Sequence, residues 1–272
     1  MNDVLILGTH KLPLHRRTLI MGILNVTPDS FSDGGYFFDP QEALGQVQQM
    51  ATEGADVIDI GGESTRPGAI PISAEEEWKR IQPIIKAIKK EVDIPLSIDT
   101  YKGVVAAQAV KEGVHMVNDV WGLKADPAMA EVVAEYDVPV CIMHNRQKAV
   151  YQNLMDEILS DLQESIDLAI NAGVRQDKII IDPGIGFGKT LEHNLEVMHH
   201  LARFKTLGFP ILLGTSRKSM IGKTLDLPTH ERLEGTAATV AYGITRGVEL
   251  IRVHDVKEMR RVAIMTDAIV RR

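Results

Sequence analysis

Stretches of apolar residues recur along this chain, and polar residues follow each of them before a segment with helical spacing begins. The first stretch runs from Leu19 to Leu24, and at Asn25 it gives way to residue types that favour turns. A continuous apolar run is typical of a strand buried on both faces of a parallel sheet. Eight strands are predicted in this way, at 19–25, 57–61, 95–99, 115–118, 138–143, 178–182, 210–214 and 250–253.

The segments between these strands carry apolar residues three and four positions apart, the spacing of an amphipathic helix. Asp39 and Ser73 are the expected N-caps of the first two helices, and Gly54 and Gly113 are expected to end the first and third. Helices are predicted at about 40–53, 74–88, 103–112, from 127, and at 153–171, 191–201, 230–246 and 256–270.

Eight strand-then-helix units predict an α/β fold of the (β/α)8 TIM-barrel type, for which 272 residues are sufficient. A doubly wound open sheet is the alternative, but the chain lacks the Gly-rich dinucleotide turn of that fold. Residues 1–272 are interpreted as one domain, because no linker divides them. Residues 1–18 are predicted to form a short hairpin that closes one end of the barrel formed by 19–272.

Composition narrows the possible functions. The chain has 30 Lys and Arg against 37 Asp and Glu, a formal charge of −7, which argues against a general nucleic-acid binder. Its one cysteine, Cys141, lies in an apolar run and is interpreted as a buried strand thiol. Neither a signal peptide nor a membrane-spanning run is recognisable, so we expect a cytoplasmic protein without membrane partners.

Polar residues stand at nearly every predicted strand end. Each could by itself be a helix cap or a solvated loop residue, but in a barrel all eight ends converge on one mouth. The ring consists of Asn25, the 61–65 turn, Asp99, Asn118, His144, Asp182, Lys218, Arg252 and His254.

The middle strands supply one chemical half of this ring. Asp99, Asn118 and Asp182 carry acceptor oxygens that could pair with the N–H edge of a flat ligand such as an aminopyrimidinone. Phe187 and Met143 could pack on the face of such a ring.

The other half suits an anion. The first and eighth strands are neighbours in a barrel, so Asn25 should lie beside Arg252 and His254, and Arg66 and Lys218 add positive charge. An amide oxygen can bind Mg²⁺, which keeps several waters and takes phosphate oxygens. A ligand with an N–H-rich ring and a phosphate tail fits both halves.

These motifs resemble those of the dihydropteroate synthase family of pterin-binding TIM barrels. The resemblance runs from about residue 19 to the end of the chain. It rests on the segments 22–35, 62–68, 97–100, 117–119, 143–145, 182–187, 215–219 and 252–255, which occur in the order of the family.

The resemblance implies condensation of (7,8-dihydropterin-6-yl)methyl diphosphate with 4-aminobenzoate to give 7,8-dihydropteroate and diphosphate. It also implies a Mg²⁺ ion, a homodimer and inhibition by sulfonamides. Asp99, Lys218, Arg252 and His254 are the expected catalytic residues, and Asn25 the metal ligand. The residues expected to bind the pterin diphosphate are Thr65, Asp99, Asn118, Met143, Asp182, Phe187, Lys218, Arg252, Val253 and His254. Those expected to border 4-aminobenzoate are Phe31, Pro67 and Ser219.

Three other functions fit parts of the pattern. A methyltetrahydrofolate–corrinoid methyltransferase would share the pterin-binding acceptors but has no use for a diphosphate corner. An aldolase could use Lys218 as a Schiff-base nucleophile. A catalytically silent pterin-binding protein would be expected to lack Asn25, Arg252 or His254, and all three are present.

The sequence also predicts an order of binding. The 4-aminobenzoate residues come from loops at about 26–38, 62–72 and 215–222, which are rich in Gly, Ser, Thr and Pro and have few apolar anchors, so we expect them to be mobile in the empty enzyme. Ordering them costs entropy that so small a ligand could hardly offset alone.

We therefore predict that the pterin diphosphate binds first. In calorimetry, a pterin analogue with diphosphate and Mg²⁺ should raise the affinity for 4-aminobenzoate by about tenfold or more, or about 1.4 kcal/mol of coupling. Equal affinity with and without these additions would show that the second site is preformed.

Overall fold

Eight parallel strands close into a barrel in the computed structural model, which describes residues 3–26, 39–64 and 69–271. An antiparallel hairpin of β1 (Val4–Leu7) and β2 (His10–Pro13) precedes it. The barrel strands are β3 (Leu19–Asn25), β4 (Val57–Gly61), β5 (Leu96–Asp99), β6 (Met116–Asp119), β7 (Val140–Met143), β8 (Ile179–Asp182), β9 (Leu212–Leu213) and β10 (Leu250–Val253).

The strands are paired in the order β8-β7-β6-β5-β4-β3-β10-β9. A parallel bridge between Ile181 and Ile211 joins the two ends of that order, and the Ile181 N–H donates to the carbonyl oxygen of Pro210 at 2.9 Å. The predicted TIM barrel is therefore confirmed, and the open sheet is excluded.

Helices alternate with the strands around the outside. They are α1 (Pro40–Glu53), α2 (Ala74–Glu91), α3 (Gly103–Glu112), α4 (Ala128–Glu135), α5 (Leu154–Asn171), α6 (Leu191–His199), α7 (Ser219–Leu225), α8 (Leu233–Thr245) and α9 (Val256–Val270). Within the described ranges, no helix is long and apolar enough to cross a membrane.

The expected helix ends are present. The Asp39 side chain accepts from Gln41 N at 2.8 Å, and the Ser73 hydroxyl accepts from Glu76 N at 3.1 Å. Gly54 and Gly113 end their helices in the left-handed conformation, with φ of 96° and 99°, which glycine adopts without the strain of a Cβ.

The region after β9 differs from the prediction. Residues 219–225 form helix α7, although the sequence indicated a loop with few apolar anchors over about 215–222. Met220 and Ile221 are each only 3% exposed. A seven-residue helix gives a weak periodic signal, and burial of its apolar side chains decides its conformation. The seventh strand is also shorter than 210–214, because Leu212 and Leu213 alone form its regular pairing.

The barrel interior is apolar at its amino-terminal end. Alternate strand residues, including Cys141, turn inwards there and form one cluster with the hairpin. This cluster contains Leu5, Leu7, Leu14, Leu19, Met21, Val57, Met116, Cys141, Ile180, Leu212 and Leu250. The predicted closure of one barrel end by the hairpin and the buried strand thiol at Cys141 are both confirmed.

Shortening a buried side chain of the hairpin should destabilise the fold without changing the carboxyl-terminal end of the barrel. Leu7 is fully buried, so Leu7→Ala should lower the free energy of unfolding by about 2–4 kcal/mol in urea denaturation. Ile6→Ala is the matched control, because Ile6 lies in the same strand and is 44% exposed. Equal effects of the two substitutions would show that the hairpin does not plug the barrel.

Candidate active site

The barrel interior becomes polar towards the carboxyl ends of the strands. Side chains two positions apart on a strand face the same side. Each of the inward-facing residues Val57, Met116, Cys141, Ile180 and Leu250 is therefore followed by a second inward-facing residue. These second residues are Asp59, Asn118, Met143, Asp182 and Arg252. The strand pairing sets Asp99 between Gly61 and Asn118.

Arg252 binds two carboxylates inside the barrel. Its Nε donates to Asp59 Oδ2 at 2.6 Å, and its Nη2 donates to Asp99 Oδ2 at 2.7 Å. The Asn118 amide also donates to Asp59 Oδ2, at 2.9 Å. In this structure the guanidinium therefore points into the ring of acceptors.

Each of these two carboxylates has one oxygen without a hydrogen-bond partner among the described residues. Within the described part of the chain, Asp59 Oδ1 and Asp99 Oδ1 are buried without a hydrogen-bond partner, as is the Ser97 hydroxyl. Burial raises the pKa of Asp99 to about 7, against the lowering effect of Arg252. A buried acceptor without a donor is costly, so this site is suited to a ligand that supplies N–H groups.

Asp182 and Lys218 form the neighbouring part of the mouth. Asp182 Oδ1 accepts from Gly184 N at 2.7 Å, and burial raises the pKa of this carboxyl. Lys218 donates to the carbonyl oxygen of Ile185, and its Nζ lies 4.6 Å from the centroid of the Phe187 ring. Burial lowers the pKa of Lys218 to about 8.

Two glycines lie beside the charged groups of the mouth. A Cβ at Gly214 would lie 3.8 Å from Asp182 Oδ2, 3.8 Å from Lys218 Nζ and 3.9 Å from Arg252 Cβ. At Gly61 it would lie 3.6 Å from the Cβ of Asp99. Neither glycine therefore places a side chain among these charged groups.

The anion corner contains His254. Its backbone N–H donates to the Ser216 hydroxyl at 3.1 Å, and that hydroxyl lies 3.0 Å from His254 Nδ1. The hydroxyl can donate to Nδ1, and in that tautomer the imidazole proton is on Nε2. Asn25 ends β3, the strand that pairs directly with β10.

Other predicted residues take up different positions. Met143 is buried at the end of β7, and Ser219 is exposed as the first residue of α7. The Val253 side chain packs in the apolar layer outside the barrel, so it could meet a ligand through its backbone only. Phe31, Thr65 and Pro67, together with Arg66, lie outside the described residues.

Arg217, a cation within the predicted 215–222 loop, is paired with a carboxylate. It forms a two-pronged ion pair with Asp255, with Nε donating at 2.9 Å, and its φ is 56°. The pair ties the loop after β9 to the start of α9.

The sequence reasoning missed Asp59, Ser97 and Lys189. Asp59 had a usable signal, because it is the one charged residue in the apolar strand Val57–Gly61. Lys189 lies beyond a strand end, and its partner His144 was noted without a role. The contact between Lys189 and His144 joins segments 45 residues apart, so no local sequence pattern indicates it.

Comparison with known proteins agrees with this geometry. Residues 21–254 match the family described as pterin binding enzyme. The dihydropteroate synthase of Clostridium beijerinckii is 58% identical over 267 residues, covering 98% of this chain and 99% of the relative.

Two solved structures are also similar. The dihydropteroate synthase of Clostridium difficile, crystallised in the presence of pteroic acid, has a TM-score of 0.94 and 54% identity, covering 95% of this chain and 99% of that one. That of Xanthomonas albilineans with 4-aminobenzoic acid has a TM-score of 0.94 and 39% identity, covering 99% and 98%. These relatives favour the synthase over the methyltransferase, aldolase and silent alternatives. The chain belongs to the pterin-binding enzymes and, within them, to the dihydropteroate synthases.

Proposed function

We propose that this barrel mouth condenses (7,8-dihydropterin-6-yl)methyl diphosphate with 4-aminobenzoate, and that its two halves divide the first substrate between them. The buried, unpartnered Asp99 Oδ1 is the observation that best supports the pterin half, because it needs an N–H donor. Arg252 and His254, a cation and an imidazole at the end of β10, support the diphosphate half.

In the pterin half, Asp99 and Asp182 accept hydrogen bonds from the N–H edge of the ring, and Asn118 and Lys218 complete its polar contacts. Phe187 and Met143 supply apolar contact. The negative charge of the carboxylates stabilises positive charge on the pterin if the bond to diphosphate breaks before the amine attacks. Arg252 limits that negative charge in the empty site by pairing with Asp59 and Asp99.

In the diphosphate half, His254 donates from Nε2 and Arg252 supplies positive charge as the leaving group departs. The amine of 4-aminobenzoate is a weak nucleophile, so catalysis lies in stabilising the leaving group. No side-chain nucleophile is required.

The residues fit a Mg²⁺ ion that depends on its substrate. Among residues 3–26, 39–64 and 69–271, no cluster of three or more His, Cys, Asp or Glu could hold a metal by itself. The Asn25 amide oxygen is a suitable hard donor, and phosphate oxygens and water would fill the remaining positions. When bound, the ion neutralises charge on the diphosphate.

The second substrate is assigned by resemblance. Ser219 stands at the rim on α7, and Phe31, Thr65 and Pro67 are proposed to complete the 4-aminobenzoate site, where sulfonamides would compete. A homodimer is proposed on the same basis, and a cytoplasmic location is proposed as the default.

Asp182→Asn should remove most of the affinity for the pterin. The change replaces a carboxylate oxygen by an N–H₂ donor facing donors, at a cost of about 2–4 kcal/mol. Calorimetry with a pterin that lacks diphosphate measures the loss. Asp177→Asn, in the exposed turn before β8, is the control, and its affinity should equal that of the wild type. Unchanged affinity in a folded Asp182→Asn protein would refute the pterin assignment.

Asn25→Ala should raise the Mg²⁺ concentration needed for half-maximal diphosphate release while binding of a diphosphate-free pterin stays nearly constant. The reason is that Asn25, at the end of β3, is proposed as the metal ligand and is not among the acceptors proposed for the pterin ring. Asn171→Ala on the exposed end of α5 controls for general effects. Equal losses for metal and pterin would mean that Asn25 supports the whole pocket.

A further inference from the structure

The loop between β8 and α6, residues 183–190, carries several groups of the proposed pterin half. Its Gly184 N–H bonds to Asp182, its Ile185 carbonyl accepts from Lys218, and its Phe187 ring lies beneath the Lys218 ammonium. The loop lacks regular pairing, and its glycines 184, 186 and 188 have φ of 69°, 88° and 54°. One backbone bond closes a turn in the loop, from Phe187 N to the Gly184 carbonyl oxygen at 3.1 Å, and side chains supply further hydrogen bonds that fix its shape.

Lys189 provides three such bonds. Its Nζ donates to the carbonyl oxygens of Gly184 at 2.9 Å and Phe187 at 3.1 Å, and it lies 2.7 Å from His144 Nδ1. Burial lowers the pKa of Lys189 to about 7. In its ammonium form the side chain has three N–H groups, so these acceptors use all of them and leave none for a substrate. Lys189 thus joins two points of the loop to each other and to the end of β7.

His144 is the partner that orients Lys189. Its side chain is completely buried, and its Nε2 lies 3.1 Å from Asp161 Oδ2 on α5, an oxygen that also accepts from Arg146 Nε at 2.6 Å. An Nε2–H donated to Asp161 leaves Nδ1 as the acceptor that the Lys189 ammonium requires. Burial lowers the pKa of His144 to about 4, which keeps the ring neutral near pH 7.

The ends of the loop have other supports. Asp182 belongs to β8, and Thr190 caps α6 by accepting from His193 N at 3.2 Å. Asn194 accepts from Gly186 N at 2.6 Å. Loss of Lys189 would therefore remove this donor from the Phe187 carbonyl and leave the Gly184 carbonyl with the Phe187 N–H alone, at 3.1 Å, while the barrel and α6 keep their own bonds.

We propose that Lys189 is a positioning residue which, held by His144, fixes the β8–α6 loop so that the Ile185 carbonyl and the Phe187 ring aim Lys218 at the pterin. This inference rests on the proposed assignment of Lys218 and Phe187 to the pterin.

The test compares Lys189→Met with Lys178→Met in the full chain. Lys178 donates to the carbonyl oxygen of Asp137 at 2.9 Å from the opposite end of β8, so its substitution also removes a lysine–carbonyl bond. Calorimetry uses 6-hydroxymethylpterin, and steady-state kinetics use both substrates. Lys189→Met should bind this pterin about tenfold or more weakly, because a displaced loop misaligns Lys218. Its KM for 4-aminobenzoate at saturating pterin diphosphate should stay within about twofold, as should every constant of Lys178→Met.

Two substitutions at His144 separate positioning from general stability. An Asn oxygen can occupy the place of Nδ1, so His144→Asn should keep pterin affinity within about threefold. His144→Leu lacks the acceptor and should lose as much pterin affinity as Lys189→Met. The double variant Lys189→Met/His144→Leu should bind the pterin no more weakly than either single variant.

The outcomes distinguish the inference from the function on which it rests. If Lys218→Met weakens pterin binding but Lys189→Met does not, the positioning role is wrong and the site assignment stands. If Lys218→Met binds the pterin normally, the site assignment itself fails. If Lys189→Met does not fold, the two His144 variants decide, since equal pterin affinity of Asn and Leu would overturn the proposal.

Discussion

The buried ion pair of Arg252 with Asp59 and Asp99 is the interaction on which the polar end of this barrel depends. Removing a guanidinium and two carboxylates from water costs several kcal/mol for each charge unless they are paired and hydrogen-bonded. Here the pairing is incomplete, since one oxygen of each carboxylate has no partner within the described residues. A core built for stability alone would not keep such groups, so the arrangement is best understood as a site prepared for a ligand.

The two ends of the barrel divide stability from chemistry. At the amino-terminal end, the hairpin and the lower strand residues bury leucine, isoleucine, valine and methionine side chains in one cluster. Two residues further along the same strands, these apolar side chains are replaced by Asp59, Asn118, Asp182 and Arg252. Each of these short strands therefore contributes an apolar side chain at one end and a polar side chain of the site at the other. Burial of the apolar side chains offsets the free-energy cost of burying the polar ones.

Groups behind the site hold its loops. Lys102 donates to Glu63 and Glu77, each at 2.5 Å, and Tyr101 donates to Glu63 at 2.7 Å, which fixes the chain after β4. Arg217 with Asp255 does the same after β9. Lys189 with His144 is the corresponding device after β8. In each case a cation and its partners replace the regular bonds that a loop lacks, so the orientation of substrate-facing residues depends on charges that face away from the substrate.

The sequence by itself determined the eight-unit barrel, the hairpin and the polar ring of Asp99, Asn118, Asp182, Lys218, Arg252 and His254. These follow from local patterns, because burial on both faces requires apolar runs and parallel strands bring their carboxyl ends together. Tertiary structure alone decided the partners of those residues. Arg252 meets Asp59 across 193 positions of the chain, and Lys189 meets His144 across 45. It also folded 219–225 into α7 through burial of Met220 and Ile221. Such contacts depend on which elements become neighbours in space, and no periodicity along the chain encodes that.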